Sequence, residues 1–402
     1  MAEQRPLICF PFVGDDIGGS HISAAGLIRR IDPNRFRVLV LLQNVNGAMA
    51  AFFRKEGIGF EAAPPSAALA HGQRAGLGQA LGLVRGVMPL VHFLRRRGVD
   101  LVHSNDGRTH ATWALATRLA GARLLWHHRG DPDARGLRFV APLLADHVVA
   151  VSHFAVPRPG IYSAARRTDV VHSPFDTSVH EDRDAARAAL IAELGLPANA
   201  LVIGFFGALI ERKRPLLFVD AIAALRARLP GRPVYGLLFG EAFDGAERAI
   251  PARVSALGVA DQIRMMGFRA PGTRWLAACD MLLVPAINEP FGRTLIEAML
   301  VGTPVVATAS GGNIEAIRHG ETGLLAPPDD AEGLADAMAR LADDPALMAT
   351  IAEQAALGAR SHFGMARHAD AIMAIYDQML SHGPTRSVRG NRHARRPARG
   401  IS

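Results

Sequence analysis

Short apolar runs of strand length alternate with Ala/Leu/Arg-rich stretches of helical period along nearly the whole chain, and the scheme runs twice. In the first half the runs lie at 7–10, 38–42, 101–103, 124–126 and 147–152; in the second they lie at 201–206, 235–239, 263–266, 281–284 and 304–307. Continuous apolar runs of this length suit strands buried on both faces, which means parallel sheets covered by helices. All-β and all-α arrangements are thereby excluded. With 402 residues, 49% of them apolar, the chain is too long for one core and predicts two Rossmann-like α/β domains.

The irregular stretch from Ser173-Pro174-Phe175-Asp176 to about residue 200 marks the passage between the halves. The expected organisation is a first domain over 1–175 and a second over 176–364. Apolar positions Ala369, Ile372, Met373, Ile375, Tyr376 and Met379 give a last amphipathic helix over 365–382. The net charge of +8 is largely a matter of the end: residues 383–402 carry Arg386, Arg389, Arg392, Arg395, Arg396 and Arg399 with no acid. Such a segment buries too little to order itself and reads as a disordered basic tail, either a solvated extension or a contact for anionic membrane. A specific nucleic-acid partner is not expected, because the rest of the chain is close to neutral.

There is no apolar run of about 18 residues and no signal-like N-terminus, so a cytoplasmic protein is expected, at the inner membrane face if the tail binds lipid. Cys9 and Cys279 lie far apart inside apolar runs and are expected to be buried free thiols. No His/Asp cluster has ligand spacing, so no metal and no cofactor is expected.

Chemistry concentrates at 288–323. Pro290 and Gly292 break the chain after the apolar run at 281–284, which predicts a sharp loop and a helix starting near Gly292 or Arg293. The free N–H groups and positive dipole end of such a helix suit a diphosphate, and glycine lets the phosphate come close. Glu297, one turn in, is placed for a ribose diol; Glu289, in the loop before the helix, is placed for sugar hydroxyls. Phe291, Arg293 and Thr294 belong to the same donor-binding turn. Two acids eight apart are by themselves usually solvated, and only the ordered context makes this pair informative.

That context is specific. Glu289-Pro290-Phe291-Gly292, Glu297-Ala298-Met299, Gly302-Thr303-Pro304-Val305-Val306-Ala307-Thr308, Gly311-Gly312, Glu315 and Gly320 with Gly323, in this order, resemble the retaining glycosyltransferases of family four. The resemblance implies the GT-B fold: two Rossmann-like domains, a cleft between them and a C-terminal helix crossing back to the first domain. It also implies a nucleotide-sugar donor held by the second domain and a glycan or lipid-linked acceptor, in polysaccharide or lipopolysaccharide assembly. Retention arises either by same-face attack or through a covalent intermediate; residue types alone do not give the carboxylate geometry.

Other segments take their roles from the same comparison. Gly18 and Gly19 follow the first run and open a helix, where glycine either lets a phosphate or acceptor approach or merely makes a tight turn. Lys213, one of only two lysines, sits in a strand-end loop and offers a compact ammonium to a phosphate. The family commonly has arginine five residues earlier, where this chain has Ala208, so either Arg212 or Arg293 supplies the second charge on the diphosphate, or leaving-group stabilisation is weaker than usual in the family. His127 matches the family histidine at the donor sugar, with His128 the alternative, and Asn105 lies on the acceptor side. Gly267 and Phe268 stand where relatives read the nucleotide base. Lys213, Glu289 and His127 are thus the expected catalytic group. Two other readings of the same fold stand beside transfer: a nucleotide-sugar-binding protein without turnover, motivated by Ala208, and a nucleotide-sugar epimerase.

Overall fold

The structure is a computed structural model that describes residues 5–65 and 77–381. The basic segment 383–402 lies outside the described residues. Thirteen strands form two sheets among those described. The first contains β1 (Leu7–Phe12), β2 (Arg37–Leu42), β3 (Glu61–Ala62), β4 (Leu101–Ser104), β5 (Arg123–His128), β6 (His147–Ala150) and β7 (Thr168–Val170), in spatial order β3-β2-β1-β4-β5-β6-β7. The second contains β8 (Leu201–Phe206), β9 (Val234–Phe239), β10 (Ile263–Gly267), β11 (Met281–Val284), β12 (Val305–Thr308) and β13 (Leu324–Ala326), in order β10-β9-β8-β11-β12-β13. All pairings are parallel.

Ten of these strands coincide with the apolar runs. The other three, β3, β7 and β13, are two or three residues long, and β3 and β7 lack the buried apolar residues that make a run visible. They are sheet edges, where one row of hydrogen bonds suffices and packing demands little of the side chains.

In each sheet the strand order reverses direction once, between β1 and β4 in the first and between β8 and β11 in the second. Loops leaving the C-terminal ends of strands on either side of such a reversal diverge and leave a crevice. Both crevices open onto the space between the domains.

The last helix, Met365–Ser381, returns to the first domain. Its buried face, Ala369, Ile372, Met373, Ile375, Tyr376 and Met379, joins the cluster formed by Ile8, Phe10, Leu101 and Leu125 of the first sheet. Ile372, Met373, Ile375 and Met379 each contribute about 1.5–3 kcal/mol of burial, which holds the helix firmly. Tyr376 also meets the imidazole of His103 at 2.5 Å. The crossing is pinned where the Phe175 N–H donates to the Phe363 carbonyl at 2.8 Å. Cys9 and Cys279 are buried and free.

Candidate active site

A cleft of about 630 Å³ lies between the domains. Its first-domain wall comes from the start of the helix after β1 (Gly19, Ser20), the loop and helix start after β4 (Asn105, Asp106, Gly107) and the end of β5 (Trp126, His128, Arg129, Gly130). Its second-domain wall is Arg212 and the segment Glu289, Pro290, Phe291, Gly292 and Arg293.

That segment is a tight turn bracketed by two left-handed residues, Asn288 at φ 50° and Gly292 at φ 55°. The helix Arg293–Leu300 begins at Gly292 with no side chain capping its first N–H groups. A second loop props the turn from behind. The Gly312 N–H donates to the Glu289 carbonyl at 2.7 Å, and Asn288 N–H donates to Ser310 Oγ at 3.1 Å. A Cβ on Gly311 would stand 2.5 Å from the Glu289 carbonyl oxygen, and one on Gly312 would stand 2.6 Å from that of Pro290. The Gly311-Gly312 pair is therefore required by close approach of two backbones.

Glu289 is nearly buried and sits between two cations. Lys213 Nζ lies 2.8 Å from its Oε2, and Arg212 donates to the same oxygen. Burial alone would push this carboxyl up, but the Lys213 and Arg212 charges outweigh burial and hold it below the usual carboxylate range. Glu289 is thus an anion at neutral pH, and the 3-10 turn Glu211–Lys213 is fixed against the helix start.

Arg293 reaches the other way. Its guanidinium donates to Ser23 Oγ at 3.1 Å, to the Pro174 carbonyl at 3.3 Å and to Glu297 Oε1 at 3.3 Å, and it lies 4.4 Å over the Phe175 ring. It therefore ties the second domain to the first. Gly19 makes room for it, since a Cβ there would come within 2.5 Å of Arg293 Cδ. Burial pushes the Glu297 carboxyl up, and Arg293 only partly offsets this.

A second interdomain tie is Glu315, whose carboxylate accepts the His153 and Phe154 N–H groups at 2.8 and 2.9 Å and meets His172 Nε2 at 3.3 Å. The signal for it was its place after the Gly311-Gly312 pair.

Of the expected site residues, Arg212, Glu289, Phe291, Gly292, Arg293, Gly19 and Asn105 line one cleft. Lys213 stands behind it on Glu289, and Gly18 caps the helix Gly19–Ile28. Thr294 and Glu297 are on the helix that starts at the turn but do not line the cleft. Gly267 and Phe268 lie at the end of the edge strand β10, with Phe268 74% exposed, also outside the lining.

His127 requires a correction. It was expected to face the cleft, but it is fully buried and His128 lines the cleft instead. Strand parity is the reason: side chains alternate along β5, and His127 points with Leu125 to the face covered by the crossover helix. There it meets His103 Nε2 at 3.1 Å and stacks on His368 at 5.8 Å. Trp126 and His128 point to the opposite face, where the His110 ring stacks on Trp126 at 3.8 Å.

Arg129 was not assigned from sequence. Its Nη1 donates to Ser173 Oγ at 3.2 Å, its Nη2 lies 3.5 Å from His127 Nδ1, and its buried Nε has no partner. Burial and the neighbouring Arg293 push it down to about 9, which leaves it cationic at neutral pH.

Among the described residues there is no cluster of His, Cys, Asp or Glu arranged to hold a metal, and no helix long and apolar enough to cross a membrane.

Two parallel-sheet domains, an interdomain cleft at their switch points, a glycine-led helix start and a returning C-terminal helix define the GT-B class. Residues 200–344 match the model of the glycosyl transferases group 1 family. The chain is 31% identical over 326 residues to the D-inositol 3-phosphate glycosyltransferase of Streptomyces avermitilis, covering 74% of this chain and 69% of that protein. It is 32% identical over 244 residues to the lipopolysaccharide core biosynthesis mannosyltransferase LpsB of Rhizobium meliloti, covering 58% of this chain and 66% of that one. The crystal structure of Anabaena HepE in complex with UDP and glucose superposes with a TM-score of 0.76 at 26% identity, over 93% of this chain and 100% of that one. The protein belongs to the group 1 glycosyltransferase family. It spans about half to two thirds of the length of the first curated relatives it matches.

Proposed function

We infer that the protein transfers a sugar from a nucleotide diphosphate donor to a hydroxyl acceptor in the interdomain cleft. The observation that carries this reading is the turn 288–292: an ionised Glu289, flanked by Lys213 and Arg212, directly before an uncapped helix start at Gly292. The donor diphosphate sits on that helix terminus, where backbone N–H groups and the dipole offset its charge. Lys213 and Arg212 stabilise the charge that grows on the leaving diphosphate, and Glu289 orients the sugar. Arg212, at the mouth of the cleft, takes the place left open by Ala208 better than Arg293, whose guanidinium is committed to Ser23, Pro174 and Glu297.

Retention of anomeric configuration and independence from a metal are part of this proposal. The chain's own cations and helix terminus do what a divalent ion does elsewhere. Complexes of HepE with UDP and with UDP-glucose support a nucleotide-sugar donor of the UDP type. A role in cell-surface polysaccharide or lipopolysaccharide assembly is supported by the likeness to LpsB; a glycan or lipid-linked acceptor and a place at the cytoplasmic membrane face belong to the same proposal.

The test is a panel of UDP-, GDP- and ADP-sugars, read by thermal stabilisation and by release of free nucleoside diphosphate. A donor at 100 times its dissociation constant adds roughly 2.7 kcal/mol. Stabilisation with diphosphate release is expected. Conversion of the donor without release would indicate an epimerase, and binding without either reaction would indicate a protein that has lost turnover.

A further inference from the structure

The cations of the cleft are not equally provided for. Arg212 and Lys213 share Glu289, and Arg293 has Glu297. Arg129 has no carboxylate within ion-pair distance among the described residues. Its neighbours are a serine hydroxyl, a neutral imidazole and the like-charged Arg293, and its Nε is sealed without a partner. Holding a guanidinium in such a place is costly unless an anion is supplied.

The surroundings favour an anion from outside. Asn105, also in the cleft wall, keeps a buried Oδ1 without a hydrogen-bond partner. The carboxylate that lines this wall, Asp106, is already engaged: it accepts the Arg108 and Thr109 N–H groups at 3.0 Å each and the Thr109 hydroxyl at 2.6 Å. Arg129 projects from the end of β5 in the first domain, whereas the helix terminus assigned to the donor diphosphate belongs to the second.

We propose that Arg129 binds an anionic group of the acceptor, a phosphate ester or a carboxylate, on the first-domain wall of the cleft. This rests on the reading of the cleft as a sugar-transfer site. The planar guanidinium fork matches either oxyanion in two-point contact. The acceptor is then selected by its charge as well as by its hydroxyl, and it is held apart from the donor diphosphate.

The test uses the full chain and two simple anions, methyl phosphate and acetate, titrated by calorimetry with UDP absent and with UDP saturating. Binding of one or both anions to the UDP-saturated protein is expected, and the tighter of the two identifies the class. Arg129→Gln should weaken that anion at least about tenfold while UDP affinity stays within about twofold. Arg129→Lys, which keeps the charge but not the fork, should weaken it by less. Competition between the anion and UDP, equal anion affinity in all three proteins, or an equal loss of UDP affinity in Arg129→Gln would each overturn the assignment. Failure of UDP to bind the unaltered protein would count against the transferase reading alone, because the anion titration without UDP still reports on Arg129.

Discussion

Lys213 Nζ stands 2.8 Å from Oε2 of Glu289, and through this contact the loop after β8 and the loop after β11 meet at the switch point of the second sheet. In the proposed reaction the leaving diphosphate and its sugar part beside this pair. Arg212 shares the same carboxylate, so removing Glu289 would leave two cations without a partner.

Glu289→Gln keeps the shape of that site and removes its charge. Turnover should fall about 100-fold or more, while donor affinity changes by less than about threefold, because the lost interaction acts on the sugar in the transition state. Steady-state kinetics alongside donor calorimetry separate the two.

Lys213→Ala and Glu297→Ala should differ. The first lowers turnover as well as donor affinity; the second mainly weakens donor binding, by about tenfold for one lost hydrogen-bonded carboxylate. Unchanged transfer and donor hydrolysis in both variants would remove these assignments.

Gly311→Ala introduces a methyl group at φ 57°, 2.5 Å from the Glu289 carbonyl oxygen. The turn must shift, so donor affinity should fall by more than overall stability does. Comparing donor calorimetry with urea unfolding of the same variant checks this.

Stability should fall on mild acidification. His368 is pushed down to about 3 by burial and by Arg129, and burial drives His103, His110 and His127 well below the usual range. The unfolded chain therefore binds protons that the native state refuses once the pH drops below about 6.5, so unfolding is favoured as pH falls toward the native values. Each such histidine removes up to about 1.4 kcal/mol per pH unit in that window. Urea unfolding at pH 7, 6 and 5 should show the decline, and His368→Gln should make it shallower by about one proton. The Glu289 carboxyl behaves in the opposite pH range: being held low, it supports the fold above its unfolded value near 4.3 and withdraws that support only at lower pH.

The two-sheet architecture could be read from sequence because each strand buried on both faces needs a continuous apolar run. The donor turn could be read because Pro290, Gly292 and the Gly311-Gly312 pair are demanded by backbone geometry that few other residues permit. The edge strands β3 and β7 left no such trace, and β13, although apolar, is only three residues long. His127 was placed on the wrong face because the parity of β5 depends on which side the crossover helix covers, and that is a property of the assembled fold. Arg129 was hidden for a related reason: a cation becomes informative only when its lack of a carboxylate is visible, and spacing along the chain does not report that.

Whether the helix start at Gly292 holds the donor diphosphate is answered by a crystal structure of the protein with a nucleoside diphosphate. β-Phosphate oxygens should lie within hydrogen-bond distance of the backbone N–H groups of Arg293 and Thr294, with Lys213 or Arg212 turned from Glu289 toward the phosphate. A diphosphate bound elsewhere in the molecule, with the Gly292 turn left empty, would contradict it.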